Sequence, residues 1–175
     1  MAESVDTPAR IGVLFVCHAN ICRSPLAEGI FRFLARARGI EAGFDIDSAG
    51  TWAPEGMSPH EYSLDVAATH GIGPELLSRA SRGVTPEDME RFAHVIAMDR
   101  RNLADLERLR RLSGFGTVEG QWPRVRLMRH VLDPKLEGLD SDVDDPVRGG
   151  PADFETTYAL LHAACERLLD ELAPV

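Results

Sequence analysis

Alternating strand-type and helix-type apolar patterns predict an α/β fold, a single three-layer domain in which a four-stranded parallel sheet is flanked by helices. Two observations carry that expectation. Short runs rich in Val, Ile, Leu and Phe recur at about 11–16, 43–48, 93–98 and 124–131. Among them lie segments with helical apolar spacing, at about 25–38, 60–70, 86–91, 100–112 and 152–172. The 175 residues are one domain's worth of chain, and 44% of them are apolar, enough to bury a substantial core. No repeat, low-complexity tract or long interior linker divides them, so the polar residues 1–10 read as an extension and 11–173 as the domain.

The first strand is strongly apolar, Val13-Leu-Phe-Val-Cys17, and it runs without a spacer into His18-Ala-Asn-Ile-Cys22-Arg23-Ser24-Pro25. Pro25 marks the opening of the first helix, because its fixed φ suits a first turn and its missing N–H is not needed there. Residues 18–23 must therefore turn tightly between strand and helix. Successive N–H groups of such a turn converge on one point, a nest for a phosphate-sized anion, and the helix adds its positive end. The same field favours a negative sulfur: a free cysteine ionises near roughly pH 8.5, and one at a helix N-terminus beside cations ionises several units lower. Cys17 is thus the expected nucleophile. Arg23, a permanently charged planar fork, is the expected clamp on two oxygens of a tetrahedral anion. A Cys17/Cys22 zinc pair lacks a second pair of ligands at usable spacing, Cys165 lying far downstream in a helical pattern. Buried apolar cysteines beside a solvated arginine are the other competing reading.

The second strand ends in Asp47-Ser48-Ala49-Gly50-Thr51, the helix after it in His70-Gly71-Ile72, and the third strand in Ala97-Met98-Asp99, followed by Arg100-Arg-Asn102-Leu103. Ligands of parallel sheets bind beyond the carboxyl ends of the strands, so Cys17, Ser48 and Asp99 can meet there although distant in sequence. Gly114-Phe-Gly116 and Glu119-Gly120 read as an exposed loop before the fourth strand. Late in the chain, Asp144-Asp145-Pro146 precedes Phe154-Glu155 and the last helix. Pro146 restrains Asp145 to an extended backbone, which suits a carboxylate held out over a pocket, while Asp142 and Asp144 read as a solvated acidic loop.

The spacing of Cys17, Asn20, Cys22, Arg23, Ser24 and Pro25 resembles the motif of the low-molecular-weight protein tyrosine phosphatase family, and the later landmarks follow in that family's order across residues 11–170. The resemblance implies hydrolysis of phosphotyrosine in proteins, and of small aryl phosphates, through a cysteinyl phosphate. It gives Cys17 the nucleophile's role, and it gives phosphate binding to Arg23 and the loop of His18, Ala19, Asn20, Ile21, Cys22 and Ser24. Asp145, the one aspartate matching the family's acid before proline, becomes acid and then base. Asn20, Ser24, Ser48 and His70 match a hydrogen-bond network that supports the loop, and Asp99 matches an acidic residue beneath the pocket. A helix-end role for His70 and an N-cap role for Asp99 are the alternatives. Trp52 matches an aromatic wall that favours phosphotyrosine over the shorter phosphoserine, or is a packing tryptophan. Cys22 matches a cysteine that can form a disulfide with the nucleophile and so protect it from irreversible oxidation, or is a small buried loop residue. Ile21 resembles the tyrosine-selective branch, the protein arginine phosphatase branch carrying threonine there.

Two positions depart from the family's pattern. Ala19 stands where glycine is usual, which requires Ala19 to keep an ordinary φ and Asn20 to take the left-handed one. Val147-Arg148-Gly149-Gly150 stands where the family has one or two tyrosines.

A net charge of -9 argues against nucleic acid or an anionic membrane as partner, since both need a basic face. Three cysteines are not a secreted disulfide framework, the first ten residues are no signal peptide, and no run of about 18 apolar residues occurs, so a cytoplasmic location is expected. No metal or other cofactor is called for. The implied partners are a tyrosine-phosphorylated protein, a tyrosine kinase among the candidates, with inorganic phosphate as product. Two other readings remain. A thiol-linked arsenate reductase would need relay cysteines between the third strand and the acid loop, where this chain has none. A catalytically weak phosphate-binding module is the second.

Overall fold

The computed structural model of the protein describes residues 9–78, 80–113 and 123–173. Strands β1 (Ile11–Cys17), β2 (Phe44–Gly50), β3 (His94–Ala97) and β4 (Arg124–Leu127) pair in parallel in the order β2-β1-β3-β4. Helices α1 (Arg23–Ala37), α2 (Glu61–Thr69), α3 (Asp88–Arg91), α4 (Arg100–Ser113), α5 (Met128–Leu132) and α6 (Pro151–Leu172) cover the two faces.

β1 sits inside the sheet because both of its faces are apolar. Val13, Phe15 and Cys17 point into one core, with Leu26 and Phe31 of α1, Val66 of α2, Val131 of α5 and Leu161 of α6. Leu14 and Val16 point into a second core, with Met89 of α3, Leu106 of α4 and Phe92. The alternation is the strand's period of two, and each face demands its own layer of helices. Phe15, Phe31 and Phe44 pack ring to ring in the larger core, with centroids 5.7 and 5.4 Å apart.

The register brings three strand ends to one level: Cys17 pairs with Gly50 on β2, and Val16 with Ala97 on β3. The chain order reverses between β1 and β3, and a ligand crevice opens where such a reversal occurs. β1 and β2 run on to Cys17 and Gly50, past the predicted ends at 16 and 48.

One expected strand is overturned in part. The apolar run at 124–131 stays extended only to Leu127, and α5 begins at Met128. A strand would have placed Arg129 on the same face as Leu127. A helix instead lets Met128 and Val131, three residues apart, share the larger core while Leu127 closes the smaller one. The expected loop at 114–120 and residues 1–8 of the expected extension lie outside the described residues. Among the described residues no helix is long and apolar enough to cross a membrane.

Candidate active site

β1 delivers Cys17 to the turn, and α1 starts at Arg23, so Pro25 falls within the first helical turn, where backbone N–H groups lack intrahelical acceptors. The loop's carbonyls are drawn outward by neighbouring segments. Thr51 N–H donates to Cys17 O at 2.9 Å, Trp52 N–H to His18 O at 2.9 Å and His60 N–H to Ile21 O at 2.8 Å. Ser63 Oγ donates to Cys22 O at 3.3 Å. With the carbonyls held this way, the loop's N–H groups are left free of these contacts, and that of Asn20 donates to the Cys17 sulfur. Asn20 has φ 56° and is the one non-glycine residue with positive φ among the described residues, so Ala19 keeps an ordinary backbone. Gly50 permits the close approach of β2 to the loop: a Cβ there would lie 2.5 Å from His18 O and 2.9 Å from Asn20 N.

Two groups meet the Cys17 sulfur, Ser24 Oγ at 3.0 Å and the Asn20 N–H at 3.3 Å. Asn20 Nδ2 donates to Ser24 Oγ at 2.9 Å and to Ser48 Oγ at 3.0 Å, and Arg82 N–H donates to Asn20 Oδ1 at 3.0 Å. Because Asn20 occupies an acceptor site on Ser24 Oγ, the Ser24 proton is left for the sulfur or for Ala49 O at 3.3 Å. Ser48 Oγ in turn donates to Glu28 Oε2 at 2.7 Å, and Ser78 Oγ bonds both of them. A buried carboxylate therefore ends the chain of hydrogen bonds that begins at the Cys17 sulfur. Arg32 binds the other Glu28 oxygen at 3.0 Å. Burial pushes the Glu28 carboxyl above its ordinary range, although Ser78, Ser48 and Arg32 pull it down.

Sequence reasoning missed Glu28, Ser78 and Arg82. For Glu28 a signal existed: a lone acid in the apolar run Leu26-Ala-Glu28-Gly-Ile-Phe31, one turn after Ser24 on the same helix face. Ser78 and Arg82 carried none, since only the tertiary fold brings them to the loop. His70, expected in this network, lies outside it. α2 ends at Thr69 and Gly71 turns the chain with φ 77°, which lays His70 against α6. There its Nε2 is 2.7 Å from Glu155 Oε1 and its ring stacks on Tyr158 at 3.8 Å.

Arg23 is 2% exposed and draws three segments together. Nη1 donates to Asp99 Oδ2 at 2.7 Å and to Val143 O at 2.9 Å, and Nη2 donates to Asp145 Oδ2 at 3.0 Å. Its Nε is buried and has no partner among the described residues. Burial alone would make this guanidinium easier to deprotonate, and the charges of Cys17, Asp145 and Asp99 more than offset it. Asp99 fills both roles considered for it, since its other oxygen accepts the Asn102 N–H at 2.8 Å and caps α4.

The loop that carries Asp145 is fastened just past the end of β3. Val143 N–H donates to Met98 O at 2.8 Å, and Asp142 accepts the Arg100 N–H at 2.8 Å and pairs with the Arg100 guanidinium at 3.1 Å. Asp142 is thus a fastening point, in place of the solvated residue expected. Burial raises its carboxyl, and the Arg100 hydrogen bonds outweigh that and hold it low. Asp144 is exposed. Asp145 is extended, as a residue before proline should be, and its Oδ1 accepts the Val147 N–H at 3.2 Å at the head of the short turn Pro146–Arg148.

Cys17, His18, Ala19, Ile21, Cys22, Arg23, Asp145 and Val147 surround a pocket of about 160 Å³. The side chains of Asn20 and Ser24, expected to bind substrate, are buried behind it in the hydrogen-bond chain. Trp52 is 66% exposed and borders the outer cleft with His18, Arg23, Asp99 and Asp145, so it stands on the rim and not on the wall of the Cys17 pocket. All three cysteines are free thiols. Burial first, then Asp145 and Cys17, push Cys22 up to about 12, against Arg23. Cys165 is buried in α6 with its Sγ 3.6 Å from Ala27 O, and burial pushes it up too. Among the described residues no group of three or more His, Cys, Asp or Glu is placed to hold a metal ion.

A sequence profile described as low molecular weight phosphotyrosine protein phosphatase matches residues 12–174. The chain is 38% identical over 160 residues to the low molecular weight protein-tyrosine-phosphatase YfkJ of Bacillus subtilis, covering 91% of this chain and 94% of that one. It is 34% identical over 160 residues, with the same coverage, to the low molecular weight phosphotyrosine protein phosphatase of Homo sapiens. The crystal structure of YfkJ superposes with a TM-score of 0.77 at 33% identity, over 94% of this chain and 95% of that one. The chain belongs to the low molecular weight phosphotyrosine protein phosphatase family and is a protein tyrosine phosphatase, a phosphoric monoester hydrolase.

Proposed function

We propose that residues 11–173 act as one domain that removes phosphate from phosphotyrosine in proteins, and from small aryl phosphates, by two displacements at Cys17. The observation that carries this reading is the convergence on one 160 Å³ pocket of a sulfur met by two hydrogen-bond partners, a buried guanidinium with an unpartnered Nε, and a carboxylate bonded to that guanidinium. The phosphoryl group enters with its oxygens on the loop N–H groups and Arg23, taking over the Arg23 contact that Asp145 holds without substrate.

In the first step the Cys17 sulfur forms a bond to phosphorus, the P–O bond to the aryl group breaks, and protonated Asp145 gives its proton to the departing oxygen. In the second step water attacks phosphorus, Asp145 takes a proton from that water, the S–P bond breaks, and inorganic phosphate leaves. Ser24 and Asn20 hold negative charge on the sulfur as leaving group, and Arg23 with the loop amides balances the equatorial charge of a loose transition state. Ile21 and Val147 wall the pocket with apolar surface suited to a phenyl ring. The partner is a tyrosine-phosphorylated protein, a tyrosine kinase among the candidates, in the cytoplasm.

Turnover of p-nitrophenyl phosphate without added metal tests the reading. Wild type should release nitrophenolate, and Cys17→Ser should lose about 10⁴-fold or more of that rate. Phosphate binding without turnover by wild type would leave only a phosphate-binding module, and turnover surviving in Cys17→Ser would move the nucleophile elsewhere.

A further inference from the structure

A phosphotyrosine inside a protein carries polypeptide on both sides, and the Cys17 pocket has room for the phosphate and ring only. The flanking chain must lie on the rim. On one side Asp142, Asp144 and Asp145 border the rim together with Arg100 and Arg101, and Arg100 is already held by Asp142. On the other side the outer cleft passes Trp52 and opens into a groove of about 210 Å³ between residues 51–52 and α4, floored by Val84 and Leu109 and edged by Leu112. Trp52 and Asp105 border both spaces, so cleft and groove are continuous.

Three features of this wall are unexplained by the fold. Trp52 and Leu112 leave 66% and 75% of their surface in water on the two sides of an apolar groove. Asn102 is 1% exposed and borders the cleft, and its Oδ1 has no partner among the described residues; the same is true of Thr51 Oγ1, which borders the groove. Buried polar atoms of this kind cost stability unless something pairs with them, and the backbone groups of an extended peptide are suitable partners. Finally, Arg101 at the cleft and Arg108 at the groove lie seven residues apart on one face of α4, with Asp105 between them; both arginines are exposed and neither forms an ion pair among the described residues.

We propose that this groove docks the polypeptide flanking the substrate's phosphotyrosine, taking one aliphatic or aromatic side chain between Trp52 and Leu112, while Arg108 at its edge favours a carboxylate beside it. The proposal rests on the phosphatase reading above and names the substrate feature that the catalytic pocket alone cannot select.

The experiment uses phosphotyrosine peptides of equal length in which a single leucine is moved through each position from about four before to four after the phosphotyrosine. Wild type, Leu112→Ser and Arg108→Glu are compared, with p-nitrophenyl phosphate as the control. One leucine position, or two adjacent ones, should raise kcat/KM about tenfold over the alanine parent, as burial of one aliphatic side chain does. Leu112→Ser should abolish that gain and leave nitrophenyl phosphate turnover within about twofold, both residues being on the surface. An aspartate next to the favoured leucine should help wild type and hinder Arg108→Glu. Equal kcat/KM at every leucine position with control turnover intact, or a gain that survives Leu112→Ser, overturns the docking proposal alone. Absence of control turnover in wild type overturns the phosphatase reading, and the docking proposal with it.

Discussion

Arg23 holds Asp99, Val143 and Asp145 at once while its Nε has no partner among the described residues, so in the proposed mechanism the residue that receives the phosphate also parks the acid until substrate arrives. If Asp145 is the proton donor, Asp145→Ala should slow phenyl phosphate hydrolysis by about 10²-fold or more and nitrophenyl phosphate much less, because a good leaving group needs little protonation. Measured rates that fall equally for both would shift the acid role to Asp144 or Asp142. Glu28 makes a second prediction. Burial raises its affinity for a proton in the folded protein, so from roughly pH 4 upward the folded state binds more protons than the unfolded chain and loses stability as pH rises through that window. Glu28→Gln removes this dependence. The difference in Tm, variant minus wild type, should therefore become more positive between pH 4 and pH 7; a flat or falling difference would contradict the assignment. The placement of Cys17 and Arg23 at the pocket and of Asn20 behind it was legible in the sequence, because it follows from a short local path between strand and helix. It concealed Ser78 and misdirected His70, because which side chain reaches Asn20 and Ser48 depends on where α2 ends and how the next segment returns.

The loop, viewed as an element, is shaped by its neighbours as much as by its own residues. β2 touches it at Gly50, the residues after β2 take its carbonyls, and β3 anchors the acid loop through Met98 O. Gly50→Ala should therefore displace the loop and not merely crowd it: the nearest atoms are His18 O at 2.5 Å, Ala53 Cβ at 2.8 Å and Asn20 N at 2.9 Å, two backbone atoms and a Cβ fixed to its backbone, none of which swings aside like the end of a flexible side chain. A cost of about 1–3 kcal/mol in thermal or denaturant unfolding is expected, together with loss of aryl phosphate turnover. A variant with unchanged Tm and rate would mean that loop and strand do not pack as described. Element boundaries were legible where period and punctuation agree, as in α1 and α6. They were not legible at 124–131, where Leu127-Met128 serve two cores at once and the apolar run alone cannot show which residues turn away.

Across the whole molecule, the proposed mechanism asks a chain of net charge -9 to bind a dianion, which requires positive groups gathered at one point, the junction of β1 and α1 where Arg23 stands, while acidic residues elsewhere are tied to arginines or face water. The parallel order β2-β1-β3-β4 makes that concentration possible, since it brings Cys17, Ser48 and Asp99 to neighbouring strand ends from positions far apart in sequence. That much was readable from alternating strand and helix patterns and the expectation that ligands bind beyond strand ends. The rim was not, because exposure of Trp52 and the groove beside α4 depends on how layers stack, which a one-dimensional pattern does not encode. The measurement closest to the central claim is rapid acid quench of Asp145→Ala during turnover of nitrophenyl phosphate, followed by peptide mass mapping. With the base for the second step removed, a single phosphoryl group should accumulate on the Cys17 sulfur; phosphate release with no label at Cys17, or label on another residue, would contradict it.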